Sequence, residues 1–172
     1  KTKTKTSKST SWYTNTITTK ISYAEILKEM EVNTKGITPK MEGNEQSFTK
    51  SLFAIRRARH EAAWKGATLF TATGSTKEYD LLCDFTRIKQ DDVYAKAKRL
   101  WSHKDSAVQM GDWRSELYIR RLFAIFLFHS FDTKLARQIQ TKIPEEIIND
   151  GPSVWMALTS FLFSNTSVFT IN

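Results

Sequence analysis

The stretch that most constrains this chain is Asp150-Gly151-Pro152-Ser153-Val154-Trp155, continued by Met156, Leu158, Phe161 and Leu162. Pro152 has its φ fixed near the helical value, and its missing N–H costs nothing in a first helical turn. Asp150, just ahead of it, is placed to cap free N–H groups and sits at the positive end of the helix dipole. Trp155, Leu158 and Leu162 then follow at helical spacing, with Met156 beside them. The pattern predicts a sharply started amphipathic helix that contains no group able to do chemistry. It points to helical packing or assembly and away from an enzyme.

Composition supports helices. Of 172 residues, 40% are apolar and 12% aromatic, which suits a sizeable core in one domain, or one domain with a tail. Only 6 Gly and 3 Pro are present, few for a sheet-rich chain with many tight turns. The formal net charge is +8, but its position matters more than its size. Residues 1–20 hold Lys1, Lys3, Lys5, Lys8 and Lys20 and no acidic residue, so the remainder sets 21 basic residues against 18 acidic ones. The basicity is therefore mostly a property of the tail, whereas a strong nucleic-acid face would keep more excess charge in the folded body.

Cys83 is the only cysteine, which excludes an intrachain disulfide and a thiolate zinc set and agrees with a reducing compartment. The opening Lys-Thr-Lys-Thr-Lys-Thr has no apolar stretch behind it, so it is not read as a signal peptide. The longest apolar run, Leu122 to Phe128, has 7 residues, far short of the roughly 20 that span a bilayer. No membrane partner is expected. Without an initiator Met, the chain reads as a piece of a longer polypeptide.

Three regions follow from the pattern. Residues 1–20 form a Lys/Thr/Ser tract too polar to repay ordering, with Trp12, Tyr13 and Ile17 as its exceptions. Residues 21–47 hold a short helix opened by Ser22-Tyr23-Ala24-Glu25, then a polar linker with Gly36, Pro39 and Gly43. Residues 48–172 form the compact domain, expected to be truncated at its C-terminus. Within it, Leu52, Ile55, Arg59 and Ala62-Ala63 fit one helix, and Ser75-Thr76-Lys77-Glu78 a capping box opening a helix through Phe85. Asp91-Asp92 cap the next, with Val93, Ala97, Leu100 and Trp101 as its stripe. A long helix from Trp113 to about Ser130 is apolar all round in its middle and is expected at the centre of the core. Thr133 caps a further helix, and Pro144-Glu145-Glu146 opens a short turn. The expected fold is all-α: a compact orthogonal bundle of about six to eight helices with a flexible basic N-terminal tail.

No constellation carries chemistry in this reading. His60, His103 and His129 form neither HxxxH nor HExxH and read as structural or surface residues. Cys83, beside Leu81 and Leu82, reads as a small core residue. No phosphate loop occurs, and Asp91-Asp92, like Glu145-Glu146, read as caps at a helix start and not as a metal carboxylate pair. An enzyme would need Cys83 within reach of a histidine in an open cleft. No catalytic residue, metal, cofactor or small-molecule substrate is assigned. Basic clusters are the main competing signal: Arg56-Arg57-Ala58-Arg59, Lys96-Ala97-Lys98-Arg99 and Arg120-Arg121 each suit phosphate. Nearby Glu61, Asp91, Asp92 and Glu116 favour solvated helix faces instead.

Tyr79-Asp80-Leu81-Leu82-Cys83-Asp84-Phe85, the Asp91–Trp101 helix, the Trp113–Ser130 helix and Asp150-Gly151-Pro152…Trp155 occur in that order. This succession, over residues 48–172, resembles the capsid region of Gag polyproteins from copia-type LTR retrotransposons. The resemblance implies a helical structural protein that self-associates into intracellular, cytoplasmic particles around the element's RNA. The zinc knuckle and aspartic protease motif of such polyproteins do not occur within this sequence. Trp113, Trp155 and Phe163 are the aromatics expected at subunit contacts. RNA contact falls to the tail, through Lys1, Lys3, Lys5 and Lys8. The alternative function is a helical nucleic-acid-binding module using Arg56, Arg57 and Arg59 together with that tail.

Overall fold

The computed structural model describes residues 39–61, 65–102 and 116–163, together with Lys28, Glu31, Val32 and Thr34. Five α-helices, three 3-10 turns and one two-stranded sheet make up the regular structure of the described residues from 39 onward, and Lys28, Glu31, Val32 and Thr34 are also helical. The body is thus mostly helical, with fewer helices among the described residues than the six to eight expected. Lys1, Lys3, Lys5, Lys8 and Trp113 lie outside the described residues.

The packed body takes in chain upstream of Phe48. Met41 is fully buried and forms an isolated parallel bridge with Phe131. Its N–H donates to Ser130 O at 2.8 Å, and its carbonyl accepts from Asp132 N at 2.9 Å. Helix α1, Glu45–Glu61, is opened by Asn44, whose Oδ1 accepts from Ser47 N at 2.8 Å. Phe48, Ser51, Ile55 and Ala58, at spacings of three and four, are buried, as is Arg59 beside them.

A 3-10 turn at Lys65–Thr68 leads into strand β1, Leu69–Thr71, which pairs antiparallel with β2, Glu78–Asp80. The helix expected from Ser75 through Phe85 is therefore absent, and the cause is local. Ser75 Oγ accepts from Lys77 N at 3.1 Å, and Ser75 N donates to Ala72 O, which closes a turn around Gly74 at φ 82°. Asp80 Oδ1 then accepts from Leu82 N at 2.9 Å, while its carbonyl accepts from Cys83 N and Asp84 N. Ser and Asp side chains that bond nearby backbone compete with helix, and here they win.

Helix α2 spans Gln90–Trp101, α3 Glu116–Ser130, α4 Thr133–Gln140 and α5 Gly151–Phe163. Two expected caps are displaced by one position or more. Lys89 is the N-cap of α2, so Asp91 and Asp92 serve its dipole from the first turn. At α4 the cap is Asp132, not Thr133, and its Oδ1 accepts from Leu135 N at 2.8 Å. The turn after Pro144 is a 3-10 turn at Glu145–Ile147, with Pro144 itself at the N-cap.

Helix α5 packs on α3, α2 and α4. Every residue from Gly151 to Thr159 is buried, so α5 shares the centre that the sequence assigned to α3 alone. At its far end Phe48, Phe85, Trp155 and Phe163 form one aromatic cluster, with ring centroids 5.2 to 6.2 Å apart. This cluster ties α1 and the 3-10 turn Phe85–Arg87 to α5. Gly151 sets the approach at the other end, because a Cβ there would lie 2.5 Å from Phe123 of α3.

Gly151→Ala is accordingly expected to destabilise the protein by about 1–3 kcal/mol through overpacking. Phe123→Leu should cost less in that background than in the parent. Urea denaturation of the four proteins of this double-mutant cycle measures both terms.

Candidate functional site

Two charged clusters stand out, and both lie between elements. The first is centred on Asp150, the residue ahead of α5. Arg120 of α3 holds its carboxylate with two bonds, Nε to Oδ1 at 2.5 Å and Nη2 to Oδ2 at 3.2 Å. Trp101 Nε1 of α2 donates to Oδ1 at 2.9 Å. Ser153 donates to Oδ2 from its backbone N at 3.0 Å and from its Oγ at 2.6 Å. Arg120 reaches the surface through Glu116, whose Oε2 accepts from Nη1 at 3.2 Å. With side-chain exposures of 2% and 0%, the Arg120–Asp150 pair is dry. Five donor bonds on two oxygens leave this carboxylate no capacity to act as base or metal ligand.

The expected cap is thus real, since Asp150 accepts from Ser153 N, but it is one part of a larger junction. In the sequence Arg120 stands with Arg121 as a basic cluster suited to phosphate. Its spacing from Leu117, Phe123 and Ala124, all buried, is the signal that places it on the inward side of α3.

The second cluster joins α1 to the end of the hairpin. Arg59 Nη1 donates to Asp80 Oδ2 at 2.6 Å and to Thr68 Oγ1 at 3.4 Å. Arg56 donates from Nε at 3.3 Å and from Nη2 at 2.8 Å to Leu82 O. Burial acts to raise the Asp80 carboxyl, but the hydrogen bonds from Arg59 and Leu82 N and the Arg59 charge hold it below the ordinary 3.8. Cys83 is exposed, not a core residue, and its Sγ sits 3.5 Å from Asp80 Oδ2. Partial burial raises this thiol, and the Asp80 charge raises it further, the opposite of an activated nucleophile.

These bonds redistribute the residues singled out in the sequence. Arg59 is buried against Asp80, so its guanidinium is not free for a phosphate, whereas the half-buried Arg56 is oriented by a backbone carbonyl that leaves its charge in place. Arg57 is exposed. Trp155 and Phe163 lie in the core rather than at an outer face, and Trp155 Nε1 donates to Leu81 O at 2.7 Å. His60 and His129 are exposed, while His103 lies outside the described residues. Among the described residues, no group of three His, Cys, Asp or Glu is placed to hold a metal ion, and no helix is long and apolar enough to cross a membrane. A small polar cleft of about 280 Å³ lies between Gly43, Asp132, Gln138 and Phe161. Comparison with protein-family models, curated proteins and solved structures returns no match to this chain.

Asp150→Asn should destabilise the fold by about 3–5 kcal/mol, because it leaves the buried Arg120 charge with only the half-exposed Glu116 as counter-ion. Trp101→Phe, which removes one hydrogen bond to the same oxygen, should cost about 1 kcal/mol. Denaturant titration of both variants at neutral pH ranks them.

The Asp80 pair adds a pH dependence of defined sign. The folded carboxyl binds its proton less readily than the unfolded one. Its stabilisation is therefore complete above the unfolded value of 3.8 and is lost as pH falls through the lower folded value. Asp80→Asn should remove about 1–3 kcal/mol at pH 7 and flatten the acid limb of the stability curve. Chemical denaturation across pH 2–7 reads this difference.

Proposed function

We infer that the chain is a non-enzymatic, self-assembling helical domain of the capsid type found in retrotransposon Gag polyproteins, an orthogonal bundle whose copies associate around RNA inside the cell. The order of its helices and the Asp150-Gly151-Pro152 start support the assignment, as does a body that is mostly helical. The observation that carries self-association is Phe53. It is 70% exposed on the outer face of α1, where Glu45, Gln46, Thr49 and Lys50 line a shallow groove of about 700 Å³ with it.

An aromatic ring surrounded by polar and charged neighbours has the make-up of an interface centre and its rim. The occupant that fits is a second copy of the same face. Glu45 and Lys50 give the groove both signs of charge, and a two-fold pairing of identical helices sets each sign against its opposite. Meanwhile Arg59 and Arg120 are bound to the carboxylates of Asp80 and Asp150.

Size-exclusion chromatography with light scattering and negative-stain microscopy, over ranges of protein and salt concentration, tests the reading. Oligomers or particles are expected, and Phe53→Ser should shift the population toward monomer. Stability should stay within about 0.5 kcal/mol of the parent, because the side chain is exposed. A strict monomer at every concentration would overturn it.

A further inference from the structure

Three cations lie where the β1–β2 hairpin meets the later turns of α2. Lys96 holds its ammonium 5.6 Å from the ring centroid of Phe70, and Lys77 holds its own 5.2 Å from that of Tyr79. Phe70 and Tyr79 are direct partners across the hairpin, so both rings share one face of the sheet. Arg99, one turn along α2 from Lys96, donates from Nη2 to Thr73 Oγ1 at 3.3 Å, beside the hairpin turn. Lys98, next to it, is exposed and adds to the charge at this end of α2.

The chemistry of their partners sets these cations apart from Arg59 and Arg120. Those two are neutralised by carboxylates, whereas Lys77, Lys96 and Arg99 form no ion pair among the described residues. A ring face or a hydroxyl orients a cation without cancelling its charge. The acidic residues of the same elements leave that charge standing. Glu78 alternates to the opposite side of β2 from Tyr79. Asp91 and Asp92 occupy the first turn of α2, at the far end from Arg99, and Asp80 is bound to Arg59.

We propose that the face built by Lys77, Tyr79, Lys96 and Arg99 binds single-stranded nucleic acid, RNA in the setting inferred above. Unneutralised cations suit successive backbone phosphates, and Tyr79, packed on the core with Lys77 over its ring, leaves the rest of its surface for contact with a base. Phe70 is buried and only orients Lys96, but the partly exposed Tyr79 ring among the cations favours nucleic acid over an acidic protein, for which a ring would be superfluous. The surface rests on the Gag-type reading only for the identity of the strand as RNA.

Anisotropy of a fluorescein-labelled oligouridylate with the full chain, over a range of salt, tests the surface. The comparison is made in the parent and in a tail-neutralised protein (Lys1→Ala, Lys3→Ala, Lys5→Ala, Lys8→Ala), so that the tail does not mask the result. Lys77→Ala with Lys96→Ala and Arg99→Ala should weaken binding by about tenfold or more. The slope of log K against log salt should fall by about 2. Tyr79→Leu should weaken binding by about fivefold with the salt slope unchanged, as loss of stacking requires. Lys77→Arg with Lys96→Arg should retain binding, and circular dichroism melts establish that each variant is folded.

A folded triple variant that binds within about twofold of its background would overturn the proposal. So would equal binding of Tyr79→Leu and its parent, since the surface would then read charge alone. Light scattering on the same samples reports self-association separately, which distinguishes failure of this surface from failure of the assembly reading.

Discussion

The Asp150 carboxylate is the point on which the arrangement of helices depends. It receives donors from α2 through Trp101, from α3 through Arg120 and from the first turn of its own helix through Ser153. A buried ion pair is weak evidence of net stability, because desolvation offsets most of the attraction. What such a site supplies is geometry. Only one placement of three helices satisfies Asp150 and Arg120 together, and any sliding of α5 along α3 would leave a charge dry and unpaired. Gly151 acts in the same place by letting α5 approach the Phe123 ring. Polar and steric constraints therefore coincide at one corner of the core.

Much of the helical layout was legible because it rests on periodicity and punctuation, both local properties. The positions of α2, α3, α4 and α5 follow from apolar stripes and from Asp, Pro and Gly at their ends. The hairpin was not legible, because Ser75-Thr76-Lys77-Glu78 satisfies a capping-box pattern equally well. The decision between strand and helix fell to side-chain bonds made by Ser75 and Asp80, together with Gly74 in its left-handed conformation. The charged residues were the least legible. Arg59 and Arg120 meet carboxylates 21 and 30 residues away in the chain, and no short window of sequence holds both partners.

Pairing also explains why the outer charge distribution differs from the one the sequence suggested. In the densest basic run Arg59 turns inward to Asp80 and Arg56 reaches Leu82 O, which fastens α1 to the end of β2 and the turn after it, while Arg57 stays exposed. Sparser cations on the hairpin and α2 stay unneutralised because their neighbours are rings and a hydroxyl. Linear charge density was a poor guide to surface potential here, since carboxylates brought in from other elements decide which charges survive.

The bridge between Met41 and Phe131 bears on how the chain reaches this state. Its two backbone hydrogen bonds join the segment ahead of α1 to the α3–α4 corner, across most of the described chain. Closing so long a loop carries an entropic cost that a few contacts cannot offset alone. The α3–α4 corner must already exist before Met41 has anything to pair with. Segments of high sequence separation slow folding in this way. The bridge therefore stabilises only the assembled body: its two hydrogen bonds exist only where the segment ahead of α1 and the α3–α4 corner are both in place.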